Sequence, residues 1–224
     1  ERSLRLNSTS SSGQSSVRFV TNSSGEIAIA GQYGGAPVMI NNHATNDFEG
    51  TGCSYMFVAK LNLALNTQYL TNVRTCNGGT LPYGLESDNS GNEYLMTYNP
   101  SPSGSGGLAF NNNGVYSSSS SILLRQTMNG ETCSGNGGNL AIGKVNNGSW
   151  SWARQIGGQS KSLPHSNALV YKNSNLFLSG TTHPCTSDST KQIVIGSTTI
   201  TQQNNSHYQE FFTKISTSGN WGTT

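Results

Sequence analysis

Few side chains in this sequence are suited to acid–base or metal chemistry. Carboxylates include Asp47, Glu49, Glu86, Asp88, Glu93, Glu131, Asp188 and Glu210, and a glycosidase would need two of them flanking a cleft. The close pairs, Asp47 with Glu49 and Glu86 with Asp88, lie in polar sequence and read as solvated loop groups. His43, His165, His183 and His207 occupy separate polar contexts, so no shared metal site is expected. Asp88-Asn89-Ser90-Gly91-Asn92 gathers oxygen ligands around a glycine, as a calcium loop does. It lacks EF-hand spacing, and its counterpart Lys172-Asn173-Ser174-Asn175 has no acid. Gly135-Asn136-Gly137-Gly138 precedes an apolar strand, whereas a phosphate cradle would open a helix. The sequence has no G-x-S-x-G, H-E-x-x-H or Walker pattern. A non-enzyme with no cofactor and no metal is therefore expected.

The cysteines carry more information. Cys53, Cys76, Cys133 and Cys185 are even in number, with no C-x-x-C pair of the kind zinc sites use. Disulfides in an oxidising compartment fit them, and so a secreted or cell-surface protein. Three pairings are open. A turn near Ala64-Leu65 would set Cys53 beside Cys76, and Cys133 and Cys185 fall in equivalent loops that emerge on one edge. Asn-x-Ser/Thr acceptors at Asn7, Asn22, Asn147 and Asn204 are candidates for glycosylation. Trp150 and Trp152, two apart, are expected to share a strand face, either in the core or as a sugar-stacking platform.

Composition narrows the class further. Charged residues make up 10% of the 224 and the formal charge is +2, against about 25% charged in ordinary domains. Disorder would pair low hydrophobicity with high net charge, whereas Val, Ile and aromatic residues recur here in short clusters. The basic residues are scattered, which argues against nucleic acid. No run approaches the ~20 apolar residues of a membrane helix. The opening at Glu1 fits a processed amino terminus and equally a trimmed chain.

Short apolar or alternating runs bounded by Gly, Asn and Ser predict strands near 17–21, 27–32, 36–40, 55–62, 68–75, 93–97 and 122–128. Further strands are predicted near 140–146, 150–156, 168–171, 176–180, 193–200 and 210–216. These runs repeat. A polar turn leads into a strand at Ser24-Gly25-Glu26-Ile27, at Ser90-Gly91-Asn92-Glu93 and at Asn173-Ser174-Asn175-Leu176. An apolar strand then ends in a lysine and an aliphatic residue at Lys60-Leu61, Lys144-Val145 and Lys214-Ile215. An aromatic strand and Gly-Gly follow at Gly78-Gly79 and Gly157-Gly158, then Leu-Pro at Leu81-Pro82 and Leu163-Pro164. One all-β repeat domain is expected over 1–224, with units near 17–79, 83–158 and 166–224 and a complementing strand in 1–12.

The unit resembles the bacterial β-propeller repeat of the SBBP type, on residues 56–61, 152–158 and 216–221. That resemblance implies about three propeller-like antiparallel units in a secreted binding or scaffold protein. An inserted stretch at 101–121 lengthens one loop. Leu4, Arg5, Leu6 and Asn7 align with the last strand of a unit, and the third unit breaks off just after Trp221. The ends could pair within one chain, between copies, or with further segments of a longer propeller. The expected function is an extracellular structural or adhesive protein that self-assembles, as a homo-oligomer or filament, by head-to-tail strand complementation. The donor would be residues 4–7, and the acceptor would include Phe211, Phe212 and Trp221. A lectin that binds a surface glycan is the alternative, and a glycoside hydrolase comes third.

Overall fold

The computed structural model describes residues 6–8, 17–34, 37–41, 43–45, 53–76, 80–99, 108–111, 122–124, 139–158, 160–184, 191–202 and 209–222. Among them every regular element is a β-strand and the sheets are antiparallel, as the sequence pattern predicts. The strands run β1 (Leu6–Ser8), β2 (Val17–Thr21), β3 (Ile27–Tyr33), β4 (Val38–Ile40), β5 (His43–Ala44), β6 (Cys53–Leu61) and β7 (Thr67–Cys76). Next come β8 (Pro82–Ser87), β9 (Glu93–Asn99), β10 (Leu108–Asn111), β11 (Ile122–Leu124), β12 (Asn139–Asn146) and β13 (Ser149–Gly158). The last are β14 (Ser160–Lys172), β15 (Asn175–Pro184), β16 (Lys191–Ile195), β17 (Thr198–Gln202) and β18 (Gln209–Ser216).

Two meanders and part of a third form the frame. Unit one is β2-β3-β6-β7, unit two is β8-β9-β12-β13, and unit three is β14-β15-β18. Each unit interrupts its meander between the second and third strands with a hairpin that leaves the unit. The hairpin β10-β11 of unit two pairs with β7, the last strand of unit one, and β16-β17 of unit three pairs with β13. Two six-stranded sheets result. The corresponding hairpin of unit one, β4-β5, pairs with β1 in a separate three-stranded sheet. No barrel or propeller closes among the described residues.

Turn chemistry explains the joints. Between β2 and β3, the Asn22 Oδ1 accepts from the Ser24 and Glu26 backbone N–H groups at 3.0 Å each. Asp88 does the same between β8 and β9, with 2.9 Å bonds from the Ser90 and Asn92 amides. Such side chains hold a turn by standing in for backbone acceptors. Three apolar clusters fill the layers. One lies between units one and two and includes Met56, Val58, Leu85, Leu95 and Trp150. The second lies between units two and three and includes Tyr94, Ile142, Trp152, Leu169 and Ile215. In the third, Val38 and Ile40 of β4 cover the other face of unit one at Phe57 and Leu61.

Two sequence expectations change here. Trp150 and Trp152 do not share a face, because the β12–β13 ladder shifts register between Lys144 and Val145. That bulge leaves Ser151 without an opposite number and turns Trp150 into the first cluster and Trp152 into the second. Both are buried, at 4% and 8% exposure, so neither can serve as a sugar-stacking platform. The run at 193–200 is two strands, β16 and β17, joined by a tight turn whose Gly196 has φ +62°.

Candidate functional site

The repeat equivalences single out the sheet edges. Val73 of β7 pairs with Phe110 of the inserted β10, and Ile156 of β13 pairs with Ile195 of the inserted β16. Leu6 of β1 pairs with Ile40 of the inserted β4 in the same relation. On its other side Val73 faces Met56, and Ile156 faces Leu140, the third strands of their own units. Strand β1 has no such neighbour among the described residues, because its sheet ends there. Strand β18 has the complementary vacancy. It pairs with β15 on one edge. On the other edge, among the described residues, an Ile215–Trp221 bridge, a 2.9 Å bond from the Ser216 N–H to the Asn220 carbonyl and a 3.0 Å bond from the Gly222 N–H to the Lys214 carbonyl begin a fourth strand. β1 and β18 are not neighbours in any sheet.

The predicted assembly residues thus divide. Leu6 and Asn7 lie in β1, Phe211 and Phe212 in β18, and Trp221 opposite Ile215, while Leu4 and Arg5 fall outside the described residues. Cys53 is disulfide-bonded, and its Cα partner across the β6–β7 ladder is Cys76. Cys133, Cys185 and the acceptor Asn204 also fall outside the described residues. Asn147 is exposed at the β12–β13 turn. Asn22 is half-buried, with its Nδ2 donating to Glu26 at 2.7 Å, so a glycan there would cost this turn its bond.

A buried ionic cluster joins units one and two, which residue spacing did not suggest. The Lys60 ammonium of β6 lies 2.9 Å from Glu26 and 3.2 Å from Glu93 of β9, and donates at 2.8 Å to the Gly91 carbonyl. The Tyr69 hydroxyl donates to Glu93. Glycine suits position 91: its φ is +75°, and a Cβ there would come within 2.8 Å of the lysine nitrogen. Burial pushes Glu93 above its ordinary value, against the pull of Tyr69 and Lys60. Burial alone would lower Lys60, but the bond to Glu26 and the charge of Glu93 outweigh it and raise it. Tyr69 is raised by burial and then by the Glu93 charge. At the second junction Lys144 lies over the Tyr94 ring at 5.8 Å, and buried Leu176 stands where Glu93 does.

Glu26 titrates at about 2, lowered from 4.5 chiefly by its bond to Lys60 and then by those from Gln68 and Asn22. Its folded value is depressed, so its contribution is complete above the unfolded value and disappears as pH falls through the folded one. Glu26→Gln should therefore lower Tm by an amount that is constant above about pH 5 and shrinks towards pH 2. Thermal melts of both proteins across that range are the check. A gap that persists undiminished near pH 2 would refute the assignment.

The Asp88 carboxylate does not suit calcium. Oδ1 accepts from the Ser90 and Asn92 amides, and Oδ2 from the Asn92 side chain and the Tyr94 hydroxyl at 2.8 Å each. Its lone pairs are committed to the turn. No group of three metal-ligating side chains occurs among the described residues. One pocket of about 290 Å³ lies where the first strands of the three units meet, lined by Arg18, Phe19, Glu86, Leu169 and Val170 among others. Burial raises Glu86, against a bond from the Tyr171 N–H.

These features define a class of protein, an all-β chain of several antiparallel sheets. No protein-family model matches the chain, and no curated protein matches its sequence.

Proposed function

We propose that this chain is an extracellular structural or adhesive protein that self-assembles head to tail, β1 of one copy completing unit three of another. The observation that carries this reading is register. β1 stands towards β4 as β7 stands towards β10 and β13 towards β16, which supports reading it as the last strand of a preceding unit. Counting back from the common lysines, Glu210 of β18 is the equivalent of Met56 and Leu140. Leu6 of the donor copy therefore sits opposite Glu210 of the acceptor, beyond the positions that Trp221 and Gly222 already occupy. Backbone hydrogen bonds along an open edge supply the affinity, as in other strand-addition complexes. The units are read as propeller blades. The Cys53 disulfide supports an oxidising, extracellular compartment. Within the same reading Cys53 pairs with Cys76, and Cys133 with Cys185.

The test is a mixed cross-link. Leu6→Cys and Glu210→Cys chains, prepared separately and combined under oxidation, should yield a covalent pair, because opposed strand positions hold Cβ atoms about 4.5–5.5 Å apart. Failure to cross-link between chains, with cross-linking inside one Leu6→Cys/Glu210→Cys chain, would mean closure within the molecule. Failure in both would overturn complementation by β1.

Glycan binding is the second reading, favoured by the pocket at the first strands. There Phe19 offers an exposed ring beside Arg18 and Glu86, donors and acceptors suited to sugar hydroxyls. Monosaccharide titration followed by nuclear magnetic resonance tests it, and Glu86→Gln should abolish any shift that is real.

A further inference from the structure

Equivalent positions in the three units have very different exposure. Counting from the lysines, Phe212 of β18 matches Val58 and Ile142, which are fully buried. Phe177 of β15 matches Ala28 and Tyr94, 3% and 0% exposed. In units one and two these side chains lie against the unit that follows. In unit three Phe212 is 67% exposed and stacks on Phe177 with ring centroids 5.8 Å apart. Val170, 52% exposed, is the register partner of Phe177 and extends the same apolar face.

The opposite kind of face is covered on unit one by β4 at Phe57 and Leu61, but its β2 end is bare. Phe19 pairs with Ile29 as Leu85 pairs with Leu95 and Leu169 with Leu178, so the three are equivalent. Leu85 and Leu169 are 7% and 3% exposed because each inserts into the cluster with the preceding unit. Phe19 is 75% exposed, with Val17 at 45% beside it. Four of the large exposed apolar side chains thus belong to the two halves of one junction. Single exposed hydrophobics are ordinary, but matched patches at equivalent sites mark an interface.

We infer that the Val170–Phe177–Phe212 face of unit three receives the Val17–Phe19 face of unit one of a second copy, and that two copies close into one ring. This rests on the strand-complementation reading and adds the side-chain surface that goes with it. The occupant is a second copy because Phe19 of this chain stands at the position from which Leu85 and Leu169 fill both existing junctions. Closure follows from the first strands. β2, β8 and β14 together line one pocket, so successive units turn about a common side, and a heterologous contact that continues this turn would form a ring instead of a filament. Two copies give six units, within the four to eight of ring-shaped β architectures.

The experiment measures native mass for the full chain and three variants. The wild type should weigh two chains of 23.7 kDa. Phe19→Glu and Phe212→Lys should each weaken the pair by about 30-fold per junction, about a thousand-fold for two, and run as one chain at micromolar concentration. The doubly substituted Phe19→Glu/Phe212→Lys chain should recover the two-chain mass, since opposite charges now meet. Open polymers of wild type, or single variants that keep the two-chain mass, would overturn the ring and its face. If the Leu6–Glu210 cross-link still forms between chains, strand complementation stands without this face. A one-chain wild type with no such cross-link ends both.

Discussion

Lys60→Met should be among the most damaging single substitutions in the chain, costing about 3–5 kcal/mol. The Lys60 side chain is 7% exposed and that of Glu93 1%. Removing the ammonium leaves the Glu93 carboxylate buried with only the Tyr69 hydroxyl to stabilise it, and frees the Gly91 carbonyl of its donor. Methionine keeps most of the volume, so the loss reports charge and hydrogen bonding more than a cavity. For a chain of this size such a loss lowers Tm by about 10 °C or more. Lys60→Met/Glu93→Leu should recover much of it, because it leaves no buried carboxylate unpaired, and the second junction already does without one, with Leu176 at the position of Glu93. Glu26, 25% exposed, stays hydrated in that variant. A Tm within about 2 °C of wild type for Lys60→Met would mean that the cluster does not hold the two units together.

Trp150→Ala should cost a similar amount, about 3–5 kcal/mol, for a different reason. The ring is 4% exposed and meets Phe110 edge-on at 4.8 Å, and its Nε1–H donates to the Asn72 carbonyl of unit one at 3.2 Å. Gly143 leaves the room for both rings: a Cβ there would lie 2.5 Å from Phe110 and 2.9 Å from Trp150. Alanine opens a cavity at the junction of the two units and leaves a buried carbonyl without its donor. Chemical denaturation measures the loss, and a cost below about 1 kcal/mol would show that the site collapses around the gap. Saccharide affinity, if any is found, should be unaffected in the folded protein, since this ring does not reach the surface.

Much of the frame is legible in the sequence because it is local. The polar turns before β3, β9 and β15 and the lysine that ends β6, β12 and β18 recur in order, and each carries its own turn or strand signal. What escapes is non-local. Leu108-Ala109-Phe110 is too short a run to announce a strand within a polar insert, and it forms one only because β7 offers an edge. The bulge after Lys144 has no residue signature, so spacing alone set the two tryptophans on one face. The Lys60 cluster joins residues 26, 60, 69, 91 and 93, and nothing in their spacing announces that they meet. The exposure of Phe19 and Phe212 is likewise invisible until their equivalents are seen buried.

The hairpins that reach back to the preceding unit also set an order in time. β13 ends at Gly158, while the strand that covers its edge, β16, begins at Lys191. As the chain emerges from the ribosome, each finished meander must wait for part of its successor before its last edge is closed. During that interval the edge is a template for any other strand nearby. Nascent neighbours making the same protein would offer each other the same open edges, which makes mispairing the main hazard of crowded synthesis.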